Sequence, residues 1–229
     1  MSSDPLASRT QAQFSKMLRG IFGEYLKDNM RTSVPGHVLS FDPATQMAEV
    51  QIGLMLEDRL DNQEARRPII CVPVQFWGAS GGTLECRVGS GTEGGLFFSQ
   101  ECIDSWVDQG GVAVKSETRR FSINDCYFIP GIRSIPGAIT NFANDGIRLR
   151  SKDGARYVWL KDDSSIGLSN GLGSITIGAD GIVNINGVTI TPDGLVHTDN
   201  DMQAGVISLK LHKTSQVQTG TGVSGVPIP

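Results

Sequence analysis

Hydrophobic positions change their period twice along this chain. Phe14, Met17, Leu18, Ile21, Phe22, Tyr25, Leu26 and Met30 recur at intervals of three and four. That is one stripe of a helix and predicts a helix over about 11–30, ended ahead of Pro35-Gly36. Its other face mixes charges and is not Lys/Arg-rich, so packing against its own protein or a neighbouring subunit is favoured over a membrane surface. From 34 to about 132 the period falls to two. Val38-Leu39-Ser40-Phe41 leads to a turn at Asp42-Pro43-Ala44-Thr45, and Ala48-Glu49-Val50-Gln51-Ile52 alternates as a half-buried strand does. Stretches 68–77, 84–88, 95–98 and 126–129 read as further short strands, with a break over 78–82 and a short helix around 103–107. Five or six such strands predict an OB-fold-like Greek-key barrel over 34–132.

A third pattern begins near 144. Ile147-x-Leu149, Val158-x-Leu160, Ile166-x-Leu168, Ile175-x-Ile177, Val183-x-Ile185 and Val188-x-Ile190 are short apolar pairs in alternation. Asp153-Gly154, Asn170-Gly171, Asp180-Gly181, Asn186-Gly187 and Asp193-Gly194 stand between them. Such dipeptides join strands of four or five residues by tight turns. Each unit has one apolar edge and nothing in its own chain to cover it. Three chains wound about one axis would point those edges inward and leave no open strand edge. The expected architecture is therefore all-β. A helical segment (1–33) precedes the collar barrel (34–132), an intertwined trimeric β-helical prism forms a shaft (133–205), and a pointed C-terminal apex follows (206–229).

Composition narrows the function. A net charge of −4 lacks the basic surplus of a nucleic-acid binder. No apolar run approaches the roughly 18 residues of a membrane span, and Met1 to Thr10 has no signal-peptide pattern. The chain is thus expected to fold in a cytoplasm. Cys71, Cys86, Cys102 and Cys126 form no CxxC pair and sit among strand-like residues, so four buried thiols are expected.

Catalytic signals are sparse. Gly89-Ser90-Gly91-Thr92-Glu93-Gly94 matches a dinucleotide fingerprint, but strand-like Gly95-Leu96-Phe97-Phe98 follows where a helix is required. With His37, His197 and His212 as the only histidines and no Gly-x-Ser-x-Gly, a serine or cysteine mechanism has little to build on. Asp199 and Asp201 could serve a glycosidase, yet they also suit a polar turn. No enzyme, small-molecule substrate or catalytic residue is expected. His212, after the strand-like Val206-Ile207-Ser208-Leu209, is the one metal candidate: three copies on a three-fold axis could hold a transition ion, or the side chain is solvated.

Several segments then resemble one family in order. They are Ser40-Phe41-Asp42-Pro43-Ala44-Thr45-Gln46, Val72-Pro73-Val74, Ser99-Gln100-Glu101-Cys102-Ile103-Asp104-Ser105-Trp106, Gly110-Gly111, and Ser122-Ile123-Asn124-Asp125-Cys126-Tyr127-Phe128-Ile129-Pro130-Gly131. Together they are similar to the N-terminal domain of central spike proteins of contractile-tailed phages. Asp201 to Leu209, Val217-Gln218-Thr219-Gly220 and Gly225-Val226-Pro227 resemble the spike apex. The resemblance implies a membrane-piercing needle at the baseplate tip of the virion. It would be a homotrimer made in the bacterial cytoplasm, joined to baseplate hub or tail tube proteins, and would meet the host outer membrane mechanically. In similar spikes a His-x-His pair from three chains surrounds one iron. Here His212 fills the first position and Thr214 the second, so any Fe or Zn ion per trimer would have half the ligands. The competing class is a receptor-binding tail fibre or adhesin on the same shaft. That class is expected to end in a broad tip domain, whereas this sequence stops about twenty residues after the shaft.

Overall fold

The computed structural model describes residues 5–57, 63–211, 213 and 220. It divides into two compact units, the first ending at Ala138 and the second starting at Ile139.

The first unit opens with helix α1 (Pro5–Asn29), nearly two turns longer at its start than the apolar stripe alone predicts. Strand β1 (Ser33–Asp42) turns into β2 (Met47–Ile52). Asp42 shapes that turn: its carboxylate accepts from the Ala44 N–H at 3.0 Å and the Thr45 hydroxyl at 2.7 Å. A small hairpin, β3 (Leu56–Glu57) and β4 (Gln63–Glu64), precedes β5 (Ile69–Pro73). A second, β6 (Trp77–Ala79) and β7 (Gly82–Leu84), precedes β8 (Glu93–Phe98). Helix α2 (Asp104–Gln109) and β9 (Cys126–Pro130) complete the unit.

Five of these strands form one antiparallel sheet in the order β5-β2-β1-β8-β9. It curls into a half-barrel whose two outer strands meet at a parallel bridge, Val74 to Phe128. There the Gln75 N–H donates to the Phe128 carbonyl at 2.9 Å. Val38, Val50, Val72, Leu96, Cys126 and Phe128 fill the interior at 1% exposure or less. Gly94 is required on β8, because a Cβ there would lie 2.5 Å from the Phe128 ring. Since β1 and β9 both run antiparallel to β8, they point the same way, so the chain enters at one end of the half-barrel and leaves at the other.

Two expectations change here. The expected break over 78–82 lies within the β6–β7 hairpin, which pairs Trp77 with Leu84 across a turn at Ser80-Gly81, and 75–76 and 85–88 are not strand. The thiols are not all buried either: Cys102 and Cys126 are, while Cys71 and Cys86 are exposed. For Cys71 the cause is a β-bulge. Ala48 faces Val72 and Val50 faces Ile69, so β5 carries one residue more than β2, and both Ile70 and Cys71 turn outward. Cys71 takes a φ of 55° to do so.

The second unit is a single seven-stranded antiparallel meander in chain order. Its strands are β10 (Gly146–Arg150), β11 (Tyr157–Lys161), β12 (Ile166–Ser169), β13 (Ser174–Ile177), β14 (Val183–Ile185), β15 (Val188–Ile190) and β16 (Val196–Thr198). A two-stranded hairpin, β17 (Gln203–Ala204) and β18 (Ile207–Ser208), follows. Turn chemistry sets the register. Asp153, Asp163, Asn170 and Asp180 each accept, through Oδ1, the N–H two residues on, at 2.9–3.1 Å. The five glycines of the turn dipeptides all sit at φ of 77–92°, where a Cβ is disfavoured.

A fragment spanning 31–138 should fold alone, because its sheet curls round its own core. Within it Phe128→Ala should cost about 3–5 kcal/mol, seen as a lowered urea midpoint. A fragment unfolded by circular dichroism, while the full chain is folded, would contradict this.

Candidate functional site

The alternation along β10 to β16 has a consequence that only the register makes plain. Ile147 faces Leu160, Leu160 faces Ile166, Ile166 faces Ile177, Ile177 faces Val183, Val183 faces Ile190, and Ile190 faces Val196. A second row runs beside it through Leu149, Val158, Leu168, Ile175, Ile185 and Val188, ending on Thr198. Both rows lie on one face of the sheet, since alternate residues of a strand share a face. Six of the seven strands thus place their apolar pairs on the same side. Cross-strand Ile, Leu and Val pairs support one another, but each still presents its outer surface to water. Ile147 is 74% exposed and even Ile185, in the middle, is 39% exposed. A continuous apolar surface of this extent marks an interaction site.

The opposite face is polar and closed upon itself. The Arg148 guanidinium lies 4.4 Å from the Tyr157 ring centre and 4.6 Å from that of Trp159. Lys161 Nζ sits 4.6 Å from the Trp159 ring centre as well. Arg148 also donates to the Gly154 carbonyl at 2.7 Å. Farther along, Thr176, Asn184, Thr189 and His197 occupy the same side. The sheet therefore has one face of polar and aromatic side chains in mutual contact, on which Arg148 Nε and Trp159 Nε1 are buried without a hydrogen-bond partner, and one apolar face open to water.

In the first unit the polar groups are knotted around Asp125, whose side chain has no exposure. Arg119 donates to both of its oxygens, at 2.7 and 2.9 Å, and the Ile103 N–H donates at 3.1 Å. Arg119 also pairs with Asp104 and Glu117, each at 2.7 Å. Burial alone would raise the Asp125 pKa, but the bonds from Arg119 and Ile103 outweigh it and hold the carboxyl below the usual range. Its three anionic partners raise Arg119 in turn. Cys102, Asp104 and Asp125 place ligand-type atoms within 4.8 Å of one another. The Arg119 guanidinium already supplies the cation that these carboxylates need, so the cluster reads as a structural knot. Burial and the neighbouring Asp125 charge push the Cys126 thiol up to about 12, which keeps it protonated at neutral pH.

The sequence candidates separate on this frame. Thr92 of the fingerprint-like loop leads straight into β8, and Glu93 and Gly94 already belong to that strand instead of a helix. Asp201 precedes β17 and accepts from the Lys210 N–H at 3.0 Å, while Asp199, in a bend, is nearly fully exposed beside His197 at 3.2 Å. His37 lies on β1 opposite Glu93. The metal candidate His212, and Thr214 with it, lie outside the described residues. Sequence reading missed the Arg119 knot. Its one signal is Arg119-Arg120 flanked by Glu117 and Asp125, a pattern that reads first as solvated surface.

Residues 34–131 match the family model described as the phage protein Gp138 N-terminal domain. The half-barrel is similar to a phage domain. The match spans the whole five-stranded sheet, somewhat less than half of the chain, and indicates a phage tail-associated protein of the virion. No curated protein matches the chain.

Arg119→Ala would leave Asp125 buried with only the Ile103 N–H and the Cys102 thiol as partners, at a cost of about 3 kcal/mol or more. Because the folded Asp125 pKa is depressed, the knot stabilises above the unfolded value of about 3.9 and fades as pH falls below it. Urea unfolding should find wild type losing stability only below about pH 4, and Arg119→Ala already weakened at pH 7. Equal stability of the two at pH 7 would contradict the assignment.

Proposed function

We propose that this protein is the central spike of a contractile phage tail, a non-enzymatic homotrimer that is driven through the host envelope. The observation that carries the reading is the unbroken apolar face of the β10–β16 meander. Seven strands of three to five residues make a long, narrow sheet, and its apolar rows need cover along their whole length. Three copies about one axis supply that cover by symmetry, each sheet becoming one wall of a prism. Closure turns half-exposed Ile, Leu and Val into core at roughly 25 cal/mol for each Å² removed from water. Interlocked walls resist shear, which suits a part that transmits the force of sheath contraction. The family match of the half-barrel supports a tail location, with that domain serving as the collar toward hub or tube proteins.

Ile177→Asp and Ile185→Asp would each place three carboxylates around a dry axis, at several kcal/mol per uncompensated charge. Thr176→Asp, on the opposite face, is the control. Light scattering should find trimers for wild type and Thr176→Asp and their loss in both Ile variants. Three equally stable trimers would mean that the apolar face is not the buried one. Negative-stain images of the wild type should be tapered rods with a wider collar, and immunogold on virions should label the tail end far from the capsid. Label on lateral fibres or capsid would overturn the spike assignment.

A further inference from the structure

Helix α1 carries a second uncovered apolar surface. Phe14, Ile21 and Tyr25 are 56%, 56% and 63% exposed, and Met17, Phe22, Leu26 and Met30 are exposed beside them. A helix of 25 residues is marginal in water unless one face is packed. We propose that the α1 helices of three copies pack as a parallel coiled coil along Gln11, Phe14, Leu18, Ile21 and Tyr25. The inference rests on the trimer reading of the meander.

The spacing of those five residues is three, four, three and four, which is the a/d rhythm of a heptad. Met17 and Phe22 flank the seam at the g and e positions, so the stripe is broader than a two-stranded seam and suits a three-stranded one. Phe14, Met17, Ile21, Phe22 and Tyr25 on this stripe leave roughly 650 Å² open per copy, within the range that one partner buries in a standard interface. The occupant is a second and third copy because each arrives with an identical stripe, and because the tether is short. Only Met30 to Thr32 separate α1 from β1, and Arg31 is held by the Phe121 carbonyl at 3.1 Å. Three helices anchored this way in one trimer meet at an effective concentration of about millimolar, so even a two-heptad seam associates. A membrane surface fits less well, since Lys16, Arg19 and Glu24 leave the polar side mixed in charge.

The test uses the full chain with the exposed thiols removed (Cys71→Ser, Cys86→Ser). Leu18→Cys at a core position is compared with Lys16→Cys at the outermost one, under copper-phenanthroline oxidation. Light scattering reports the assembly state of each variant, and vesicles of anionic lipid provide a parallel flotation assay. The coil predicts interchain dimers at least tenfold faster for Leu18→Cys, in particles that remain trimers. Intact trimers with equal, slow crosslinking at both positions overturn the coil and leave the shaft reading standing. Folded monomers would remove both. Flotation with vesicles that Ile21→Asp abolishes, without crosslinking, would assign the stripe to a membrane and overturn the coil.

Discussion

A β-sheet with two faces has to keep both of them from water or make one of them polar. The β10–β16 meander does the second on one side only, with Arg148 held between Tyr157 and Trp159. Its other side is aliphatic from Ile147 to Val196. That imbalance is the constraint on which the functional reading depends. Within the second unit, the short strands and tight turns leave no loop or helix among the described residues long enough to lie across the apolar rows. The proposed cover is a symmetric set of copies of this chain.

The half-barrel solves the same problem differently. Its five strands curl until β5 and β9 meet, and Phe128, Leu96 and three valines occupy the interior. The long segment between β8 and β9 would be loose without the Arg119–Asp125 knot, which ties α2, the 117–119 stretch and the start of β9 together. The two units therefore have different needs. The half-barrel core is complete within a chain, whereas helix α1 and the meander each present an open apolar surface.

Much of this was legible in the residues because the period of the pattern is a physical signal. All six apolar pairs from Ile147-x-Leu149 to Val188-x-Ile190 are strands, and every Asx-Gly dipeptide between them is a turn. The turn after β11 has no glycine and uses Ser164 at a φ of 69°, so it carried no such mark. Strand β16 was hidden for a related reason, since Thr198 stands where a second apolar residue would have completed its pair. The exposure of Cys71 depends on a one-residue bulge that alternation cannot reveal. The Arg119 knot joins residues up to 22 positions apart, beyond any local pattern. The segment that resembles phage spikes, 34–132, overlaps the family match over 34–131. Residue His212 lies beyond the described part of the second unit and contributes nothing to the reading of the meander.

Whether the apolar face is closed by copies of the same chain is a question of mass. Sedimentation equilibrium over a hundredfold dilution measures it without reference to shape. An intertwined trimer predicts about 74 kDa, three times the 24.6 kDa chain, at every concentration. A folded 24.6 kDa species across that range would mean that the sheet tolerates its apolar face in water, and would contradict the trimeric spike.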